Sequence, residues 1–86
     1  MGNCRIVIKK SAAKEIENIQ KKDRIRIVEK IRSLSGDPRP SGSKKLSGQE
    51  KYRIRQGKYR ILYQIIDDAL VINVVKVGHR RNVYKR

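Results

Sequence analysis

The apolar residues of this chain change their period once, and that change decides what it can fold into. From Ala12 to Leu34 they recur at helical spacing, whereas from Tyr52 to Val77 they alternate as strands do. Ser11 is a good N-cap for a first amphipathic helix carrying Ala12, Ile16 and Ile19. Asp23 is a second capping candidate, and Ile25, Val28, Ile31 and Leu34 form the stripe that follows. Gly36 and Pro38 then stop the helix. Ahead of both helices, Cys4 to Lys9 is a β-branched run suited to a strand.

Residues 35–49 hold both prolines, three of the six glycines and four serines, and Leu46 is almost their only core-forming residue. The expectation is a loop, long enough to be functional or loosely ordered. Beyond it, Tyr52–Gln56, Tyr59–Ile66 and Leu70–Val77 read as three strands joined by tight turns at Gly57-Lys58 and Asp67-Asp68. The expected fold is α+β, in the order β-α-α-β-β-β: a four-stranded, mainly antiparallel sheet with two helices on one face. At 86 residues this is read as one domain, 1–86. With no Trp or Phe, its core must be built from Ile, Val, Leu, Ala and four Tyr, which does not suit a deep enzyme cavity.

One cysteine, Cys4, gives no disulfide framework, and one histidine, His79, leaves too few ligands for a zinc site, so no metal or cofactor is expected. No apolar run is long enough to span a bilayer, and no secretory signal is evident. The opening Met1-Gly2-Asn3-Cys4 suggests myristoylation, but Ile6 stands where that motif wants Ser or Thr. The cytoplasm is the expected location.

Charge points to the partner. Twenty-three Lys and Arg against eight Asp and Glu give +15, a self-repulsion that a polyanion would relieve. The register of the hairpin sharpens this. If Gly57-Lys58 is a two-residue turn, Arg55 lies opposite Arg60, and Ile54 opposite Ile61. Arg53, Arg55 and Arg60 then share one face, while Tyr52, Ile54, Ile61 and Tyr63 share the other. Like charges directly opposite are destabilising in a sheet, and Glu50 is the single acid between Arg39 and Arg60. Guanidinium forks bind phosphate oxygens in pairs and stay charged at physiological pH, so this face suits a nucleic-acid backbone. Tyr52, Tyr59 and Tyr63 read as core or face-edge residues, and Cys4 as a small apolar one.

Several stretches resemble the RelE family of toxins: Tyr52-Arg53-Ile54-Arg55, Gly57-Lys58-Tyr59-Arg60-Ile61-Leu62-Tyr63, Lys76-Val77-Gly78-His79-Arg80 and Val83-Tyr84. A Lys45-Leu46-Ser47-Gly48 loop adds to the likeness, which spans nearly the whole chain. The wider superfamily also holds ParE-type toxins, which poison DNA gyrase and do not cut RNA. The RelE resemblance implies an endoribonuclease that enters the ribosomal A site and cleaves mRNA there, held inactive by a RelB-like antitoxin. It implies attack by a ribose 2′-OH on the adjacent phosphate, without a metal.

Carried over by position, the family's site falls on Arg53, Arg55, Arg60, Arg80 and Tyr84. Arg60 and Arg80 would clamp the phosphate, and Tyr84 would orient a base or assist the leaving group. Lys44, Lys45 and Lys51 would grip the RNA backbone. Better-known members have lysines where Arg53 and Arg55 stand. An arginine does not deprotonate, so the proton acceptor is sought elsewhere, with His79 the first candidate and Lys45 and Lys51 behind it. Two other expectations stand beside this one: a ParE-like toxin without nuclease chemistry, and a basic RNA-binding module without toxicity.

Overall fold

The structure, a computed structural model, describes residues 4–46 and 51–79. Its first element, β1 (Arg5–Ile8), passes directly into α1 (Lys10–Glu17). Lys9, rather than Ser11, is the N-cap. The Lys9 N–H donates to the Val74 carbonyl at 2.8 Å, and its own carbonyl accepts from the Ala13 N–H at 2.9 Å. The residue that ends the strand pairing therefore also starts the helix, which places Ser11 inside the first turn. The second helix, α2 (Lys21–Ser33), likewise begins at Gln20 rather than at Asp23. Asp23 falls in its first turn, where a carboxylate favours the positive end of the helix dipole.

The helices and the residues just beyond their C-terminal ends bury Ala12, Ile16 and Ile19, then Ile27, Ile31 and Leu34. The second set corrects the expected stripe. Ile27 is fully buried, whereas Ile25 is 48% exposed. Ile27, Ile31 and Leu34 fall at i, i+4 and i+7, one helical face, with Val28 packed on its flank.

The sheet has five strands, not four. Lys44–Lys45, inside the expected loop, form β2, followed by β3 (Lys51–Gln56), β4 (Tyr59–Ile66) and β5 (Val71–His79). The spatial order is β1-β5-β4-β3-β2, with β1 parallel to β5 and every other pair antiparallel. A two-residue polar strand has no apolar alternation to reveal it, and β2 exists through its pairing with β3. Tyr52, Ile54, Ile61, Tyr63, Ile65, Ile72, Val74 and Val77 form the buried face of the sheet, against the helices.

Two devices fix the far end of β5. Tyr63 pairs with Val74 but Leu62 pairs with Lys76, so Val75 is an extra residue in a β-bulge. Without it Lys76 would lie opposite Ile61 in the core; with it Val77 takes that place, 1% exposed, and Gly78 lies opposite Arg60. The second device is Glu15. Strand β1 runs alongside β5 only as far as Val74, and beyond that point the Glu15 carboxylate covers the edge. Its Oε1 accepts from the Val77 N–H and its Oε2 from Lys76 Nζ, both at 2.9 Å. Glu15→Ala strands that backbone donor and is expected to cost about 1–3 kcal/mol, a fall in thermal midpoint measurable by circular dichroism.

The β3–β4 part of the buried face is closed by the segment between α2 and β2. Buried Tyr63 donates its hydroxyl to the Pro38 carbonyl at 2.7 Å, and its ring stacks on Tyr52 with centroids 5.8 Å apart. Arg39 Nε donates to Tyr52 Oη at 2.9 Å and Nη2 to Asp67 Oδ2 at 3.1 Å. Those bonds, the Tyr52 one first, hold the Arg39 guanidinium still more firmly in its charged form. No helix among the described residues is long and apolar enough to cross a membrane.

Candidate nucleic-acid interface

The Gly57-Lys58 turn sets the register of the hairpin. Gly57 takes φ +61, a conformation that glycine adopts without steric cost, and Gln56 pairs with Tyr59 across the turn. Arg55 therefore pairs with Arg60, Arg53 with Leu62 and Lys51 with Gln64. Alternation directs all six to the face away from the helices. Strand β2 adds Lys44 beside Arg53, and β5 contributes Gly78 beside Arg60 and Asn73 beside Gln64. Asn73 Nδ2 donates to Gln64 Oε1 at 3.1 Å.

The result is a sheet face whose β2–β4 portion carries Lys44, Lys51, Arg53, Arg55 and Arg60. No acidic residue occurs from Lys51 to Ile66 to balance it. Arg55 is exposed, while Arg53 and Arg60 are half-buried with their Nε atoms shielded from solvent. Their stems are thus packed along the sheet, as long cationic side chains often are. Arg60 sits between a like charge on one side and a residue without a side chain on the other. This arrangement can bind several phosphates through paired N–H donors and stabilise negative charge developing on one of them. The guanidiniums cannot accept a proton.

Two other sequence-predicted site residues, His79 and Lys45, separate from this cluster. His79 is the last residue of β5. It pairs with Tyr59, and their rings meet edge to face with centroids 5.9 Å apart and planes at 74°. Tyr59 shares the face of Ile61, so the register puts His79 on the helix side of the sheet and the arginines on the other. Lys45 pairs with Tyr52 and is likewise on the helix-side register, although exposed. Arg80 and Tyr84 lie outside the described residues. Sequence reasoning missed Glu15 and Asn18, which line a cavity together with His79, Tyr59 and Lys76. Nothing local marks them, because the Glu15–Lys76 contact joins residues 61 positions apart.

Residues 6–84 match the family model described as the ParE toxin of the type II toxin–antitoxin system, parDE. Among solved structures, the chain is similar to the archaeal RelE–RelB complex from Pyrococcus horikoshii OT3. That match is 28% identical and covers 94% of this chain and 99% of the other, with a TM-score of 0.83. The isolated E. coli RelE toxin is 28% identical, over 88% of this chain and 83% of that one, with a TM-score of 0.78. The RelB–RelE antitoxin–toxin complex from Methanococcus jannaschii is 27% identical, over 91% and 94%, with a TM-score of 0.73.

Proposed function

The chain belongs to the RelE/ParE superfamily of type II toxin–antitoxin toxins, and from that premise we propose that it is a RelE-like endoribonuclease that cleaves mRNA in the ribosomal A site and so inhibits translation. The observation that carries this reading is the cross-strand Arg55–Arg60 pair with Arg53 beside it. Opposed like charges cost a sheet about 0.2–1 kcal/mol, and an anion between them reverses the sign. RNA supplies that anion at every nucleotide.

In this reading the ribose 2′-oxygen forms a bond to the adjacent phosphorus and the bond to the 5′-oxygen breaks. The products are a 2′,3′-cyclic phosphate and a free 5′-hydroxyl. Arg60 and Arg53 hold the non-bridging oxygens and stabilise the phosphorane, and Arg55, more exposed, guides the backbone. Arg80 and Tyr84 complete the cluster by resemblance, Tyr84 assisting the leaving 5′-oxygen, which takes up a proton as its bond to phosphorus breaks. The 2′ proton needs an acceptor. Among the described residues whose register directs them to the arginine face, Lys44, Lys51 and Lys76 carry amines, Lys76 being held in an ion pair by Glu15, and His79 is directed to the opposite face. Lys44 and Lys51 are therefore assigned to the acceptor role ahead of His79. Lys45 contacts RNA from the strand edge. The partner that silences the toxin is a RelB-like antitoxin, supported by the RelB complexes among the similar structures.

Primer extension after induction tests the activity. New 5′ ends inside codons are expected on a translated mRNA and not on the same mRNA without its start codon. A second reading rests on the matched family description, which names ParE: a toxin that acts on DNA gyrase with no RNA chemistry. Growth arrest with intact mRNA and altered plasmid supercoiling would establish that reading instead.

A further inference from the structure

The sheet end that carries Arg60 has a second concavity on its other face. A cavity of about 300 Å³ lies between the C-terminal end of α1 and the ends of β4 and β5. Ile19 and Val77 supply its apolar lining, Tyr59 and His79 its aromatic lining, and Glu15, Asn18 and Lys76 its polar groups. We infer that this cavity is a nucleobase pocket, taking one unstacked base of the single-stranded RNA whose backbone lies on the arginine face. The inference rests on the RNA-binding reading above.

Four observations support it. The volume is at the lower end of the roughly 300–1,000 Å³ of small-ligand pockets, so it suits a base rather than a whole nucleotide. The Tyr59 and His79 rings, held edge to face at 5.9 Å, offer the aromatic surface on which single-stranded bases stack. The Asn18 side-chain amide provides both a donor and an acceptor for a base edge. The Glu15 carboxylate, which alone would repel RNA, is neutralised by Lys76 at 2.9 Å and satisfied by the Val77 N–H.

The route between faces is short. Tyr59 and Arg60 are consecutive, with Cα atoms about 3.8 Å apart, and their side chains point to opposite sides of the sheet. Tyr59 pairs with His79 and Arg60 with Gly78, so the same two residue pairs define the cavity rim on one face and the phosphate site on the other. Gly78 has no side chain to block a strand of RNA turning around this end.

The test uses the whole chain and a short single-stranded RNA with 2′-O-methyl sugars, which cannot be cut by 2′-OH attack. 2-Aminopurine is placed at each position in turn, and an abasic site at the same positions. At one register, fluorescence should be quenched on binding, and the abasic version should bind about tenfold more weakly. Asn18→Ala, at an exposed helix end, should lose most of the base preference while keeping the salt dependence of binding. Tyr59→Ala should remove the quenching, with circular dichroism confirming that it folds. Binding that is indifferent to an abasic site and to Asn18→Ala would overturn the pocket and leave the arginine face standing. No binding even at low salt would overturn both.

Discussion

Arg60→Ala is expected to reduce cleavage of translated mRNA by about 10²–10³-fold, the usual loss when one donor to a developing oxyanion is removed. The fold should survive. Arg60 lies opposite Arg55, so deleting it relieves a like-charge contact across the hairpin that offsets part of the packing lost with its stem, and the unfolding midpoint should shift only slightly. Arg60→Lys separates charge from geometry. A lysine keeps the field but loses the planar fork, so an intermediate activity is expected. Binding of single-stranded RNA to Arg60→Ala should show a salt slope shallower by about 0.7, one phosphate contact. Full activity in Arg60→Ala, measured by primer extension beside a denaturation curve, would remove the arginine face from the mechanism.

The largest effect on stability is expected from Tyr63→Ala, at about 3–5 kcal/mol, as for other large aromatic truncations in cores. Tyr63 is 0% exposed, stacks on Tyr52 and ties the segment after α2 to the sheet through Pro38. Small domains have roughly 5–15 kcal/mol in hand, so this one change can leave the chain largely unfolded. Tyr63→Phe isolates the hydroxyl: it keeps the ring, strands the Pro38 carbonyl and should cost about 1–2 kcal/mol in urea denaturation.

A pH dependence follows from the same residue. Burial pushes the Tyr63 hydroxyl above the ordinary phenol value of 10.0, so the unfolded chain releases this proton first. The contribution to stability is complete below about pH 10 and is lost as pH rises through the folded-state value. Tyr63→Phe should flatten the alkaline limb of the stability curve. An unchanged limb would place its origin in other groups.

Parts of the structure governed by near neighbours were legible in the residues themselves. Two helices followed by alternating strands appear because the apolar period reports which face of an element meets the core. The Arg55–Arg60 pairing was readable because a two-residue turn with glycine at positive φ fixes a hairpin's register locally. Helix starts were misread at Ser11 and Asp23, since strand pairing at Lys9 and the Gln20 carbonyl set the caps instead of a side-chain oxygen.

What only the tertiary structure decided involves residues far apart in the chain. Lys44 and Lys45 become a strand through pairing with β3, which brings Lys44 beside Arg53 and assigns Lys45 to the other face. The bulge at Val75 sets which of Lys76 and Val77 enters the core, and with it which face His79 joins. Glu15, 61 residues from Lys76, covers the strand edge that β1 is too short to reach. The sequence by itself therefore determined that this protein presents an arginine-bearing sheet face. Whether its one histidine works on that face was decided by the bulge, because one extra residue in a strand reverses the side to which everything beyond it points.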